Sequence, residues 1–136
     1  MKIKIDFVTN SSSTSFIFIG VELKLDKDVD DMTNRQKIKK IFPKMSKEDI
    51  KSNLEKIDFY GFRNINDIDI IVGSESGAPD DKTILLGEKY GIFDGNCPYS
   101  IETTELIKDI ESLKKDIEKE TNIKEEIKLY VCNALC

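Results

Sequence analysis

The chain has 136 residues, of which 39% are hydrophobic and 35% charged, and its formal net charge is −5. This length suits one domain with a single core, and apolar runs of a few residues are too short for a membrane-spanning helix, which needs roughly 20. The chain has no histidine, so the commonest general base at neutral pH is missing, and its acidic balance disfavours nucleic acid as a partner.

The N-terminal segment predicts two strands on either side of a hydroxyl-rich run. Residues 3–8 alternate apolar and charged side chains, and residues 16–25 form a longer strand with one continuous apolar face. Residues 9–15 are expected to form the Ser/Thr-rich loop of an N-terminal hairpin. Phe16 and Phe18 lie on the second face of the longer strand, so we expect this end of the sheet to be covered on both sides.

Two short helices are predicted next. Thr33-x-x-Gln36 is a capping box that opens a helix ending before Pro43, and Ser46-x-x-Asp49 is a second helix start. The helical segment is rich in basic residues, which give a local basic patch. The patch residues are Arg35, Lys37, Lys39, Lys40, Lys44 and Lys47. They could bind phosphates or an acidic partner, but no aromatic or arginine cluster interleaves them, and this favours a solvated lysine-rich face.

The remaining elements complete an α+β pattern. Residues 68–73 and 83–90 predict two strands, and residues 127–132 predict a closing strand. Between them lies the clearest helix, which Ser100 or Thr103 could cap and Asn122 ends. The order β-β-α-α-β-β-α-β predicts a single α+β domain over residues 1–136. Its sheet would be mixed or mostly antiparallel, with helices packed on one face.

Cysteine usage and carboxylate spacing decide the chemistry that we expect. The three cysteines, an odd number in a chain without a secretory signal, indicate free thiols and a cytoplasmic location. No metal, cofactor or catalytic residue is assigned, and a non-enzymatic protein is favoured. The alternative is a divalent-metal enzyme acting on nucleotides or phosphoesters. Its candidate ligands are Asp67, Asp69, Asp80, Asp81 and Asp94.

The serine run allows a structural and a functional interpretation. It could be a polar loop whose hydroxyls bond their own backbone, or a segment presented for recognition. The candidate binding residues are Asn10, Ser11, Ser12, Ser13, Thr14 and Ser15. The stretch from Asp6 to Ile17, DFVTNSSSTSFI, resembles the N-terminal signature of a group of small bacterial and phage proteins. Those proteins begin with a basic stretch, then Phe-Val-Ser/Thr-Asn, a run of serines and Phe-Val/Ile.

The resemblance covers about the first 20 positions, and Thr14 interrupts the serine run. It implies a phage or mobile-element origin and a special role for residues 10–15, but no reaction. The leading hypothesis is therefore a small interaction protein that binds a host or phage macromolecule, including as an inhibitor of a host defence enzyme. A small anionic-ligand-binding module is a further alternative. We expect a protein partner, no membrane association, and a sequence that permits a homodimer without requiring one.

Overall fold

A computed structural model describes residues 13–56, 61–93 and 102–135. Five strands form one antiparallel sheet in the order β2-β3-β4-β1-β5, accompanied by three α-helices. The strands are β1 (Ser13–Lys24), β2 (Gly61–Ile65), β3 (Ile68–Val72), β4 (Thr83–Phe93) and β5 (Lys128–Leu135). The helices are α1 (Asn34–Ile41), α2 (Lys47–Asn53) and α3 (Thr103–Thr121). This α+β arrangement confirms the predicted fold class. None of the helices in the described ranges is long and apolar enough to cross a membrane.

All three helices pack on the same face of the sheet. Alternate apolar residues of β1, β3 and β4, with one from β2, meet apolar residues of the helices in one buried cluster. Members from the sheet are Ile19, Val21, Ile65, Ile68, Ile70, Val72, Ile84 and Leu86, and members from the helices are Ile38, Ile41, Ile50, Leu106, Leu113 and Ile117. Burying each of these side chains contributes roughly 1.5–3 kcal/mol, so this cluster is the main core.

The opposite face carries a second, smaller core. Phe16 and Phe18 of β1 are 2% and 0% exposed there, and they pack with Leu85 and Cys132. The connection between β3 and β4 crosses over this face and contributes Ala78 to the cluster. The predicted cover on both sides of the start of β1 is therefore confirmed.

Local capping signals set three of the six helix ends. Thr33 and Gln36 form the reciprocal capping box of α1, with a 2.9 Å bond from the Thr33 amide to Gln36 Oε1. Ser46 caps α2 by accepting from the Asp49 amide, and Asn122 ends α3 in the left-handed conformation. The prediction for the start of α3 differs: Thr103 is its first helical residue, and Glu102 occupies the capping position without a side-chain bond. Ser100 lies outside the described residues.

β1 is an interior strand, and this alters the expected N-terminal hairpin. From Ser15 to Gly20 it pairs with β4 on one edge and with β5 on the other. Residues 3–8, the first strand of the predicted hairpin, lie outside the described ranges. The hydroxyl-rich loop was expected to extend to residue 15, whereas β1 begins at Ser13, because residues 13–15 continue the ladder with residues 133–135 of β5.

β2 was not predicted from the sequence. It forms a tight hairpin with β3 through Asn66 and Asp67, which have φ angles of 53° and 64°. Two consecutive positive φ angles are typical of the turns that join antiparallel strands with a two-residue loop, and Asn and Asp tolerate them well. In the sequence, the Asn-Asp dipeptide between Ile65 and Ile68 was the signal that could have predicted this hairpin.

Two glycines face each other at the centre of the sheet. Gly20 of β1 is the ladder partner of Gly87 of β4. A Cβ atom added at Gly87 would overlap the Ile19 carbonyl, and one added at Gly20 would overlap the Leu86 carbonyl and the Phe18 ring. The close approach of the two backbones therefore requires glycine at both positions.

Candidate binding surface

The first candidate surface is a group of basic side chains on and after α1. Arg35, Lys39 and Lys40 of α1 are exposed, and Arg35 and Lys39, one helical turn apart, share a face of the helix. Lys44 follows in the connecting turn, and Lys47 begins α2; both are exposed. We call these five residues the basic face. No acidic residue occurs between positions 32 and 47, so nothing in this stretch neutralises it.

Lys37 does not belong to this surface, which corrects the predicted basic patch. Its side chain is 0% exposed and lies on the same side of α1 as the buried Ile38 and Ile41. Lys37 takes part in an interaction there, so its charge is not left without a partner. The reason for its burial is helical geometry: Lys37 lies four residues before Ile41, on the stripe that faces the sheet.

The serine run is divided by the start of β1. Ser13, Thr14 and Ser15 are strand residues paired with β5, and Ser15 takes part in a further interaction. Asn10, Ser11 and Ser12 lie outside the described residues. Because Ser13, Thr14 and Ser15 are paired within the sheet, they do not belong to a loop presented for recognition.

Three of the carboxylates considered as metal ligands are engaged in loop and strand bonds. Asp69 accepts from the Asn64 side chain at 2.8 Å and from the Lys89 amide at 2.9 Å. Asp81 accepts from the amide and hydroxyl of Ser74, while Asp80 accepts from the Lys82 amide. The bonds of Asp80 and Asp81 lie in the connection between β3 and β4, which contributes Ala78 to the second core, whereas those of Asp69 join β3 to its two neighbouring strands.

The proposed ligand set is not assembled in the described part of the chain. No three Asp, Glu or Cys side chains there are close enough to hold a metal ion. Asp67 occupies the hairpin turn, and Asp94 lies outside the described residues. The structure therefore offers no geometric support for the metal-enzyme alternative among the residues that it describes.

Acidic side chains meet instead between β4 and α3. The Tyr90 hydroxyl donates a 2.9 Å bond to Asp109, and burial together with this carboxylate raises the pKa of Tyr90 to about 12. Partial burial, Asp109 and Asp69 also raise the pKa of Glu88. Desolvation and like charges both disfavour the ionised form of a carboxylate. The bond between Tyr90 and Asp109 stabilises the packing of α3 against β4. An ionised Glu88 weakens this packing, because it repels Asp109.

Tyr130 and Cys132 occupy the second core on β5. Burial, the nearby Glu22 charge and a side-chain contact with Glu22 raise the pKa of the Tyr130 phenol far above its ordinary value. The Glu22 carboxylate is the neighbour of the buried Tyr130 hydroxyl, but the pair does not meet the distance and angle of a hydrogen bond, and neither does any other group in the described residues. Cys132 is a free thiol, and burial raises its pKa to about 11, so it is protonated and unreactive at neutral pH. Cys97 and Cys136 lie outside the described residues.

The two tyrosines give a matched pair of substitutions. Tyr90→Phe removes the bond to Asp109 and should lower the free energy of unfolding by about 1 kcal/mol. Tyr130→Phe removes a buried hydroxyl without a hydrogen bond, so we expect no loss and a gain of up to about 1 kcal/mol. Urea unfolding at neutral pH measures both. Equal losses in the two variants would mean that the Tyr130 hydroxyl is hydrogen-bonded.

Comparisons with known proteins add no assignment. No protein-family model matches the chain, and neither does any curated protein sequence or solved structure. The surfaces described above therefore have to be interpreted from their own chemistry.

Proposed function

We propose that this chain is a small non-enzymatic interaction protein that binds an acidic protein surface through its basic face. The observation that carries the proposal is the exposure of Arg35, Lys39, Lys40, Lys44 and Lys47 in a stretch without acidic residues. The segment 34–47 contains six basic residues, and the rest of the chain has 15 basic against 26 acidic residues. A local positive surface on a negative protein selects partners whose negative charge is equally local.

Nucleic acid is the less suitable partner for this surface. A long polyanion would extend past the basic face onto acidic neighbours, namely Asp30 and Asp31 before α1 and Glu48 and Asp49 in the first turn of α2. Phosphate-binding surfaces also combine basic groups with aromatic or arginine side chains, and the basic face has one arginine and no aromatic residue. A protein with a confined acidic patch avoids this repulsion.

The N-terminal resemblance supports a phage or mobile-element origin for this interaction. The partner would then be a host or phage protein, and inhibition of a host defence enzyme is one form that binding could take. Residues 10–12 precede β1 and are a second candidate contact. The reason to consider these residues as a contact is the N-terminal resemblance, not the geometry of the sheet.

Charge reversal on two helices tests the proposal. The triple variant Arg35→Glu, Lys39→Glu, Lys40→Glu changes three residues of the basic face. The control Lys114→Glu, Lys115→Glu, Lys119→Glu makes the same charge change at exposed positions of α3. Tagged wild type and both variants would capture proteins from bacterial lysate, with and without nuclease treatment, followed by quantitative mass spectrometry.

We expect the basic-face variant to retain about tenfold less partner, because three contacts of roughly 0.5 kcal/mol each are lost. The α3 control should retain the wild-type amount, and circular dichroism should show that all three proteins are folded. Equal capture by both variants would refute the basic face as the binding surface. Capture that disappears on nuclease treatment would identify nucleic acid as the partner instead.

A further inference from the structure

β5 lies at one edge of the sheet that the described residues form. β5 is the terminal strand in the order β2-β3-β4-β1-β5, and within the described ranges it pairs with β1 alone. Its eight residues form a continuous ladder with β1, without a bulge. Among the residues that the structure describes, no strand pairs with the backbone groups on its other side, and such groups can accept a further strand.

The sequence of β5 lacks the features that usually block such an edge. Charged residues, prolines, bulges and short length keep edge strands from pairing with other chains. After Lys128, the strand reads Leu-Tyr-Val-Cys-Asn-Ala-Leu, without a charge or a proline. Val131 is 47% exposed, one of two large apolar side chains in the described residues with such exposure. The other edge strand, β2, has five residues and carries Arg63 at its centre.

We infer that β5 pairs antiparallel with β5 of a second copy of this chain, forming a homodimer with a continuous sheet. A register centred on Val131 places this residue opposite Val131 of the partner subunit, on the same face of both strands. The same register places each Lys128 opposite an alanine, so no like charges meet. A second copy is favoured over a charged partner because residues 129–135 offer no charge that could select one.

The dimer is expected to be weak, and it leaves the basic face free. Pairing through one strand buries less than the roughly 800 Å² per partner of a standard interface, so the dissociation constant should be on the order of micromolar. The basic face lies on α1 and at the start of α2, and the 3-10 turn after α2 contacts β2, at the other edge of the sheet. This inference is therefore independent of the proposed function.

Sedimentation velocity of the full chain in reductant, from about 2 to about 200 μM, tests the inference. Wild type should shift from the mass of one 15.5 kDa chain towards that of two as its concentration rises. Val131→Lys should weaken association at least tenfold, because it places two lysines opposite each other. Ile107→Lys is the matched control, since Ile107 is 56% exposed on α3 and lies away from β5; it should dimerise like wild type.

Hydrogen exchange provides a second measurement in case Val131→Lys folds poorly. In wild type, amides of β5 should become more protected as the concentration rises, while those of β2 should not change. A monomer over the whole range would overturn the inference, as would equal weakening by both lysine variants. A monomer that dimerises after removal of residues 1–8 would also overturn it, because the edge would then be covered by the chain's own N-terminus.

Discussion

Gly87→Ala is expected to destabilise the fold by about 3 kcal/mol, the largest effect that we predict for a single methyl group. The added Cβ would overlap the Ile19 carbonyl and approach the Gly20 Cα of the neighbouring strand. These are backbone atoms in the middle of a five-stranded sheet, so they cannot move without disturbing the ladders on both sides. Thermal unfolding should show a melting temperature lower by roughly 10 °C.

The adjacent position supplies the control for this substitution. Glu88→Ala introduces the same side chain one residue later, where it removes a carboxylate whose pKa is raised by burial and by Asp109. We expect Glu88→Ala to be neutral or slightly stabilising at pH 7, because the ionised carboxylate is disfavoured there. If Gly87→Ala unfolds within about 1 kcal/mol of wild type, the two central strands do not approach as closely as described.

Lys37→Ala is expected to cost about 3 kcal/mol of unfolding free energy, although Lys37 belongs to a run of lysines that looks uniformly exposed in the sequence. Its side chain is 0% exposed, and the substitution removes both the packed aliphatic stem and the interaction made by Lys37. Lys39→Ala, two residues later and exposed, should change stability by less than about 0.5 kcal/mol. Urea unfolding of the two variants measures the difference.

A third variant separates the stem of Lys37 from its charge. Lys37→Met keeps a long unbranched side chain and removes the ammonium group. A loss close to that of Lys37→Ala would assign the stability to the charge, whereas near-wild-type stability would assign it to packing. If Lys37→Ala and Lys39→Ala have equal effects, Lys37 is exposed in solution and belongs to the basic face after all.

Much of the fold could be predicted because the relevant interactions are local. The capping box of Thr33 and Gln36 acts over three residues, and the left-handed Asn122 acts at a single position. Strand alternation likewise needs only neighbouring residues, which is why the two faces of β1 were predicted together with their burial. β2 escaped prediction because it has only five residues and its clearest signal is the two-residue turn that follows it.

The candidate site was less predictable, since exposure depends on which surface a helix presents to the sheet. Five of the six residues in the predicted basic patch are exposed, but Lys37 is inside. Its position four residues before Ile41 was a usable signal, although lysine at that position is unusual. The edge position of β5 among the described strands could not be predicted at all, because it depends on strand order.

The sequence by itself determined an α+β domain, the starts of its first two helices, the two apolar faces of β1 and a local excess of basic residues. These properties depend on side chains a few positions apart, and such contacts form in any arrangement of the elements. Only the tertiary structure decided that β1 is interior, that Lys37 is buried and that β5 ends the sheet. Each of these depends on pairing between segments far apart in the chain, where many alternatives satisfy the same local pattern and only the packing of the whole core selects one.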